Sequence, residues 1–279
     1  MALINESGLS VNIFLIDNSM LIRLGSFAFV FIVMAIWEKV APRRALNVPK
    51  VTRWSNNLSI TFLNSLAVKY VLPVTAIGVA LLAQKAGYGL MNIMGTSSPI
   101  GGLFAIMALD LTLYTQHRLF HQAPLFWRLH RMHHTDLDID VTTGARFHPV
   151  EILLSMLIKM AAILLIGAPA WGVLAFEMLL NASSMFNHSN IFLNPAIDRV
   201  VRLFVVTPDM HRVHHSVIIH ETNSNYGFNF PWWDRFFGSY KDQPSRGHNA
   251  MIIGLANYRD LKYLSLPWML VTPFLKGER

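Results

Sequence analysis

Long apolar runs alternate with short polar connections along the chain, and the lengths of those runs set the first expectations. Residues 20–37 contain a single charge, Arg23, and are long enough to cross a hydrocarbon core of about 30 Å. Arg23 lies near one end, from which it can snorkel to the interface. A second run, from about 58 to 83, predicts another span with Lys69 inside it, and a third, from about 100 to 116, leads directly into His117. Residues 151–188 predict a helical hairpin broken at Gly167, Ala168 and Pro169, because proline cannot continue the first helix and suits the first turn of the next. At 1.5 Å per residue each arm reaches about 25 Å, so the hairpin either spans or dips in, with both ends on one side. Residues 189–250 are more polar and carry turn signals, which predicts a cap. The stretch 258–275 is interrupted by Pro267 and Pro273 and predicts an interfacial helix. The expected division is 1–99 for N-terminal membrane helices, 100–245 for a catalytic domain and 246–279 for an interfacial tail.

Composition turns these runs into a class. Hydrophobic residues make up 53% of the 279 and charged residues 14%, with a mean hydropathy of +0.39. A soluble domain has about a quarter of its residues charged, so this composition is that of an integral membrane protein. The absence of cysteine excludes disulfides, thiolate ligands and iron–sulfur clusters. The net charge of +7 suits an anionic leaflet, and no basic arm or nucleic-acid motif accompanies it. Lys39, Arg43, Arg44, Lys50 and Arg53 stand against Glu38 in 38–56, whereas 84–99 has only Lys85. The positive-inside rule therefore puts 38–56 in the cytoplasm, and the expected location is a bacterial inner membrane. The N-terminal MALINESGLSVNIF has no basic n-region and is expected to stay in the mature protein.

The candidate chemistry lies where the third run ends. Six of the twelve histidines fall between His117 and His148. His117 and His121 are spaced i, i+4; His130, His133 and His134 form HxxHH, which returns as His211, His214 and His215. Such spacings put imidazoles on neighbouring positions of a helix. The alternative, a solvated histidine-rich surface, does not explain two copies of HxxHH beside an HxxxH. The charge bias puts these histidines and His188 on the cytoplasmic side. Eight histidines in three boxes exceed what one ion uses, so two metal ions follow.

Several residues are expected around those ligands. Asp110 lies seven residues before His117, about 20° round the helix, where a carboxylate can hold a ligand imidazole by its other nitrogen or pair with a neighbouring base. Glu177, Asn181, Ser184 and His188 form a polar stripe on the second hairpin arm, with His188 as a ligand candidate and Glu177 and Asn181 supporting it. Lys159 sits as far before the break as Glu177 sits after it; the two either pair across the hairpin, or Lys159 snorkels and Glu177 is protonated. Glu151 is expected to orient a ligand, and His148 either does so or caps the helix. Asp136, Asp138 and Asp140 read as a wet acidic loop, and His220 and His248 as solvated. Trp232, Trp233, Phe236 and Phe237 either line a lipid route or form an aromatic belt or cap core.

Nitrogen donors, no thiolates and a membrane approach fit activation of O2 by iron to attack an unactivated C–H bond of a lipid. An apolar bundle would keep that site dry. Electrons would need a separate donor, since no flavin, haem-attachment or dinucleotide motif is present. Cleavage of an ether lipid after the same hydroxylation, a membrane metal carrier and a bis-histidine haem protein are the rivals.

The three boxes, with PLFWRLHRMHH, RFHPVE, NHSN and TNSNYGFNFPWWDRFFGSY, resemble the fatty acid hydroxylase/sterol desaturase superfamily of membrane di-iron oxygenases over about 100–245. The later stretches are most similar to its bacterial sterol desaturase-like and alkylglycerol monooxygenase-like members. The resemblance implies an all-α transmembrane bundle under a cytoplasmic histidine-rich cap holding two iron ions, with zinc an occupant in purified protein. It implies His117, His121, His130, His133, His134, His211, His214 and His215 as ligands, and matches His188 to a further one. Where relatives often carry another histidine a turn before His188, this chain has Ser184.

Overall fold

A computed structural model describes residues 17–95 and 99–276. The unprocessed N-terminus expected above lies outside the described residues. Helices of seven residues or more are α1 (Ser19–Val40), α2 (Lys50–Val71), α3 (Ala76–Ala86), α4 (Pro99–Gln122), α5 (Pro124–His134), α6 (Pro149–Ile166), α7 (Ala170–Asn187), α8 (Pro195–Val201) and α9 (Pro208–His214). Short turns complete the described chain, and no β-sheet forms among the described residues.

Three stretches are long and apolar enough to cross a membrane: Ser19–Val40, Lys50–Ile93 and Pro149–Ile166. α4 falls outside that set, since Asp110, His117, Arg118 and His121 dilute its apolar character. At 24 residues it is nonetheless about 36 Å long. α4 packs against α7 and α6, α3 against α6 and α7, α2 against α6 and α1 against α7. Leu109, Leu113, Ile163, Val173 and Phe176 are buried where these helices meet.

The hairpin breaks where the sequence places the break. Gly167 ends α6 in the left-handed conformation (φ 72°), which costs a residue without Cβ little, and Pro169 precedes the first turn of α7. The second predicted span does not run unbroken. Pro73 removes a backbone donor between α2 and α3, and Thr75 caps the new helix by accepting from the Gly78 amide. Lys69 lies in the last turn of α2, exposed over the Tyr70 ring.

Polar contacts join all three sequence segments. Glu38 at the end of α1 accepts from the Val141 and Asn190 amides at 2.7 and 2.9 Å. Arg131 on α5 donates to the Thr272 and Leu275 carbonyls at 2.7 and 2.6 Å, so part of the C-terminal stretch packs on the histidine-bearing helix. That stretch is a series of short turns with the six-residue helix Leu266–Val271, not one continuous interfacial helix.

One expectation about charge is corrected by burial. Asp136, Asp138 and Asp140 are fully buried, not wet: Arg53 grips Asp136 through two 2.8 Å bonds and also pairs with Asp140, while Asp138 accepts from the Asn47 and Val48 amides. Arg23, partly exposed, approaches Glu177 at 3.3 Å, and Glu177 is also bonded by Lys159 at 2.6 Å, the cross-hairpin pair that the sequence spacing suggests. Polar contacts of this kind hold helices together where the apolar effect between them is weak.

Candidate metal centre

α4 and α5 are separated only by Ala123, and the chain folds back there so that His117 and His121 face His130 and His134. The end of α7 delivers His188, and α9 delivers His211, His214 and, at its C-cap, His215. The nine predicted ligand histidines converge as two groups: His117, His121, His130, His134 and His214 in one, His133, His188, His211 and His215 in the other. All nine are buried. Within each group one nitrogen from every ring lies within 4.8 Å of the others, close to the spread of at most about 4.2 Å around one ion with nitrogens at about 2.1 Å.

The repeated HxxHH motif explains the division. Neighbouring residues on a helix diverge by about 100°, so the two adjacent histidines of each box point to different pockets. The i, i+4 members stay together: His130 and His134 enter the first group, and His133 enters the second. The second box reverses the arrangement, with His211 and His215 in the second group and His214 in the first. The groups share a wall in which the His134 and His215 rings stack at 4.6 Å.

The outer nitrogens fix the tautomers. Nδ1 of His117 donates to the Tyr226 carbonyl (2.7 Å), that of His133 to the Arg146 carbonyl (2.9 Å), that of His188 to the Ser184 carbonyl and that of His214 to the Ser224 carbonyl, both at 2.7 Å. A carbonyl only accepts, so each of these rings carries its proton on Nδ1 and turns a lone pair at Nε2 inward. His130 Nδ1 is held by Glu151 at 2.6 Å, and His121 Nδ1 lies 3.3 Å from Asn223 Oδ1.

The inward nitrogens then face one another. His133 Nε2 lies 3.1 Å from His188 Nε2, and His117 Nε2 lies 3.1 Å from His130 Nε2. Neither His133 nor His188 has a proton left to donate, so theirs is a confrontation of lone pairs unless a cation lies between them. His121 Nε2, His214 Nε2 and both ring nitrogens of His215 are buried without a hydrogen-bond partner among the described residues. Buried polar atoms are rarely left so, and an ion in each group would account for His121 Nε2, His214 Nε2 and one nitrogen of His215.

Burial above all holds the rings neutral, lowering His214 to about 3 and His188 to about 4 from 6.5, with the His133, His134, His211 and His215 rings also well below that value. Neutral imidazole is the form that binds metal. The unfolded chain takes up protons near pH 6.5 while the folded chain does not, so lowering the pH through that value favours unfolding. The metal-free protein is expected to lose thermal stability progressively from pH 7 towards pH 4 and to vary little between pH 7 and 8. A midpoint independent of pH across the lower window would contradict the neutral assignments.

The surrounding residues divide. Glu151 touches a ligand candidate directly. A Glu151→Gln substitution is expected to weaken metal binding or activity about 10- to 100-fold, the usual cost of losing an outer-sphere partner; metal titration of the variant, with unchanged affinity as the contrary result, tests this. Asp110 does not hold an imidazole: its oxygens accept from Asn229 Nδ2 (2.7 Å) and Trp233 Nε1 (2.8 Å). His148 caps α6, its Nδ1 accepting from the Val150 amide and its Nε2 donating to the Leu270 carbonyl. Glu177 pairs with Lys159, and Asn181 is half-buried on the same helix, a turn and more from His188. Ser184 contributes its carbonyl to His188 while its hydroxyl donates to the Gly144 carbonyl at 2.7 Å. His248 is buried against Gln243 and Asp209, not solvated; His220 is exposed. The backbone carbonyls of Arg146, Ser184, Ser224 and Tyr226 have no sequence signature, and spacing alone could not have found them.

Residues 102–239, which contain all nine histidines, match the family model described as fatty acid hydroxylase. The chain is similar to the ornithine lipid hydroxylase OlsE of Rhizobium tropici, 29% identical over 142 residues, 51% of this chain and 42% of that protein. It is 27% identical to Homo sapiens alkylglycerol monooxygenase over 155 residues, 55% of this chain and 33% of that one. It is 26% identical to a Delta(7)-sterol 5(6)-desaturase of Eremothecium gossypii over 155 residues, 54% and 41% of the two chains. The chain thus spans less than half the length of each of these relatives. No solved structure matches it.

Proposed function

Because the chain belongs to the fatty acid hydroxylase family, we propose that it is an integral membrane oxidoreductase that uses O2 and two iron ions to hydroxylate, or desaturate, a C–H bond of a lipid. The observation that carries this reading is the confrontation of acceptor nitrogens, His133 with His188, inside one of two buried histidine groups. His117, His121, His130, His134 and His214 hold one ion; His133, His188, His211 and His215 hold the other. Iron held there supplies reductive activation of O2, and zinc suits the same nitrogen donors.

The chain's own residues do the rest. Glu151 and the four carbonyls lock the imidazoles, so the pockets are organised before substrate arrives. The apolar bundle of α3, α4, α6 and α7 accepts the lipid chain and excludes water. Electrons arrive from a separate donor, and the histidine end faces the cytoplasm of a bacterial inner membrane. Ether-lipid cleavage is the second reading, supported by the similarity to alkylglycerol monooxygenases, and begins with the same hydroxylation. A metal carrier would string its ligands along a route, whereas these nine gather at one end of the bundle.

Comparison of the lipids of cells with and without the gene, grown under 18O2, tests the reading. The expected result is a gene-dependent lipid that fails to form without O2 and, if hydroxylated, carries 18O. A gene-dependent product that forms equally in the absence of O2 would remove it.

A further inference from the structure

The cap is not polar on its outer side. Around α8 the usual arrangement is inverted: Asp198 and Arg202, an ion pair, are 6% and 4% exposed, while Ile197, Val200 and Phe204 are 56%, 58% and 58% exposed. The turn 232–236 continues this surface, since Trp232 Nε1 donates to the Leu203 carbonyl at 2.7 Å and Phe236 is 80% exposed beside it. Leu203 adds a further exposed side chain. A contiguous apolar face with the Asp198–Arg202 pair turned inward marks a surface that does not meet water.

Contacts inside the bundle give the depth of this surface. Gln116 of α4 donates to Ser155 of α6 at 2.6 Å, so that level lies six residues, about 9 Å, along α6 from its histidine end. Asp110 is six residues further from that end, and it is Asp110 that Asn229 and Trp233 reach. The 229–236 turn is therefore moored beside the middle of the bundle, not above it. Exposed Arg199 and Arg235 are placed among the apolar residues, where anionic headgroups would meet them.

We infer that residues 195–204 and 230–236 form a wedge inserted into the bilayer leaflet on the histidine side, with the apolar side chains among acyl chains and Arg199 and Arg235 at phosphate level. The partner is the lipid bilayer itself. The inference rests on the reading of the bundle as membrane-spanning. It makes the cap a half-submerged structure, and it offers lipid a lateral approach to the histidine pockets without passage through water.

The chain has no cysteine, so single nitroxide labels report cleanly. Labels at Val200→Cys, Phe204→Cys and Phe236→Cys are compared with Ile32→Cys on α1 and Arg246→Cys on the cap, in nanodiscs of phosphatidylethanolamine and phosphatidylglycerol. The wedge predicts loss of collisions with a water-soluble nickel chelate and gain of collisions with O2 at all three sites, as at Ile32 and opposite to Arg246. Water-like collisions at the three sites, with Ile32 in lipid, would overturn the wedge and leave the spanning bundle intact. Shielding from both reagents would mean that another protein surface covers the patch, and would also overturn it. Water-like collisions at Ile32 itself would overturn the spanning reading, and the wedge with it.

Discussion

Replacing His133 or His214 with alanine is expected to abolish turnover while the chain still inserts in the membrane. The two positions are chosen because one serves each histidine group. Their loss should exceed the roughly 10- to 100-fold effect of outer-sphere changes, since a direct donor disappears. Metal content separates loss of ligation from loss of folding. Each variant should keep about half of the bound metal, and a chelator that lowers the melting temperature of the unaltered protein should lower theirs by less, because ligand binding stabilises only what it binds. His133 gives the sharper case: its ring stacks on Phe147 at 4.4 Å and is aimed by the Arg146 carbonyl, so the group is held in one orientation only to meet His188 and its partners. Full activity in either variant would show that the assignment of that ligand is wrong.

What the sequence made legible was whatever depends on short spacing. The i, i+4 and HxxHH intervals picked out eight of the nine clustered imidazoles, and Gly167 with Pro169 broke the hairpin at the right place. Longer relations were not legible. Asp136, Asp138 and Asp140 look wet until Arg53, 83 residues before Asp136, is brought against them. Asp110 looks like a ligand orienter because His117 and His121 are its sequence neighbours; its partners, Asn229 and Trp233, come from 119 and 123 residues away. The 195–204 segment misleads in a different way. Its charges and turn signals read as a solvated cap, but Asp198 and Arg202 neutralise each other inside while the apolar residues stay outside. Only coordinates distinguish that arrangement from an ordinary amphipathic helix.

Arg53 carries the largest expected effect on stability. Its guanidinium makes two 2.8 Å bonds to Asp136, one of 2.9 Å to Thr143 Oγ1, and a further ion pair to Asp140, all without exposure to solvent. Burial alone would raise the Asp136 carboxyl; the adjacent Arg53 charge outweighs it and brings the group down to about 2. A group so depressed stabilises the fold fully above its ordinary value of 3.8, and that contribution is lost as pH falls through about 2. Arg53→Met would leave two buried carboxylates without their cation and should cost about 3–5 kcal/mol. Lysine should not restore the site, because a single ammonium cannot grip Asp136 at two points. The damage should also reach the pockets: the loop held by Arg53 runs from His134 to Arg146, and the Arg146 carbonyl aims His133. Arg53→Met with Asp136→Asn removes one of the stranded charges and should recover part of the loss. Thermal unfolding in detergent, run beside metal analysis, measures both consequences. If Arg53→Met unfolds within about 1 kcal/mol of the unaltered protein, the ordinary range for a single substitution, the buried cluster is not what holds this loop.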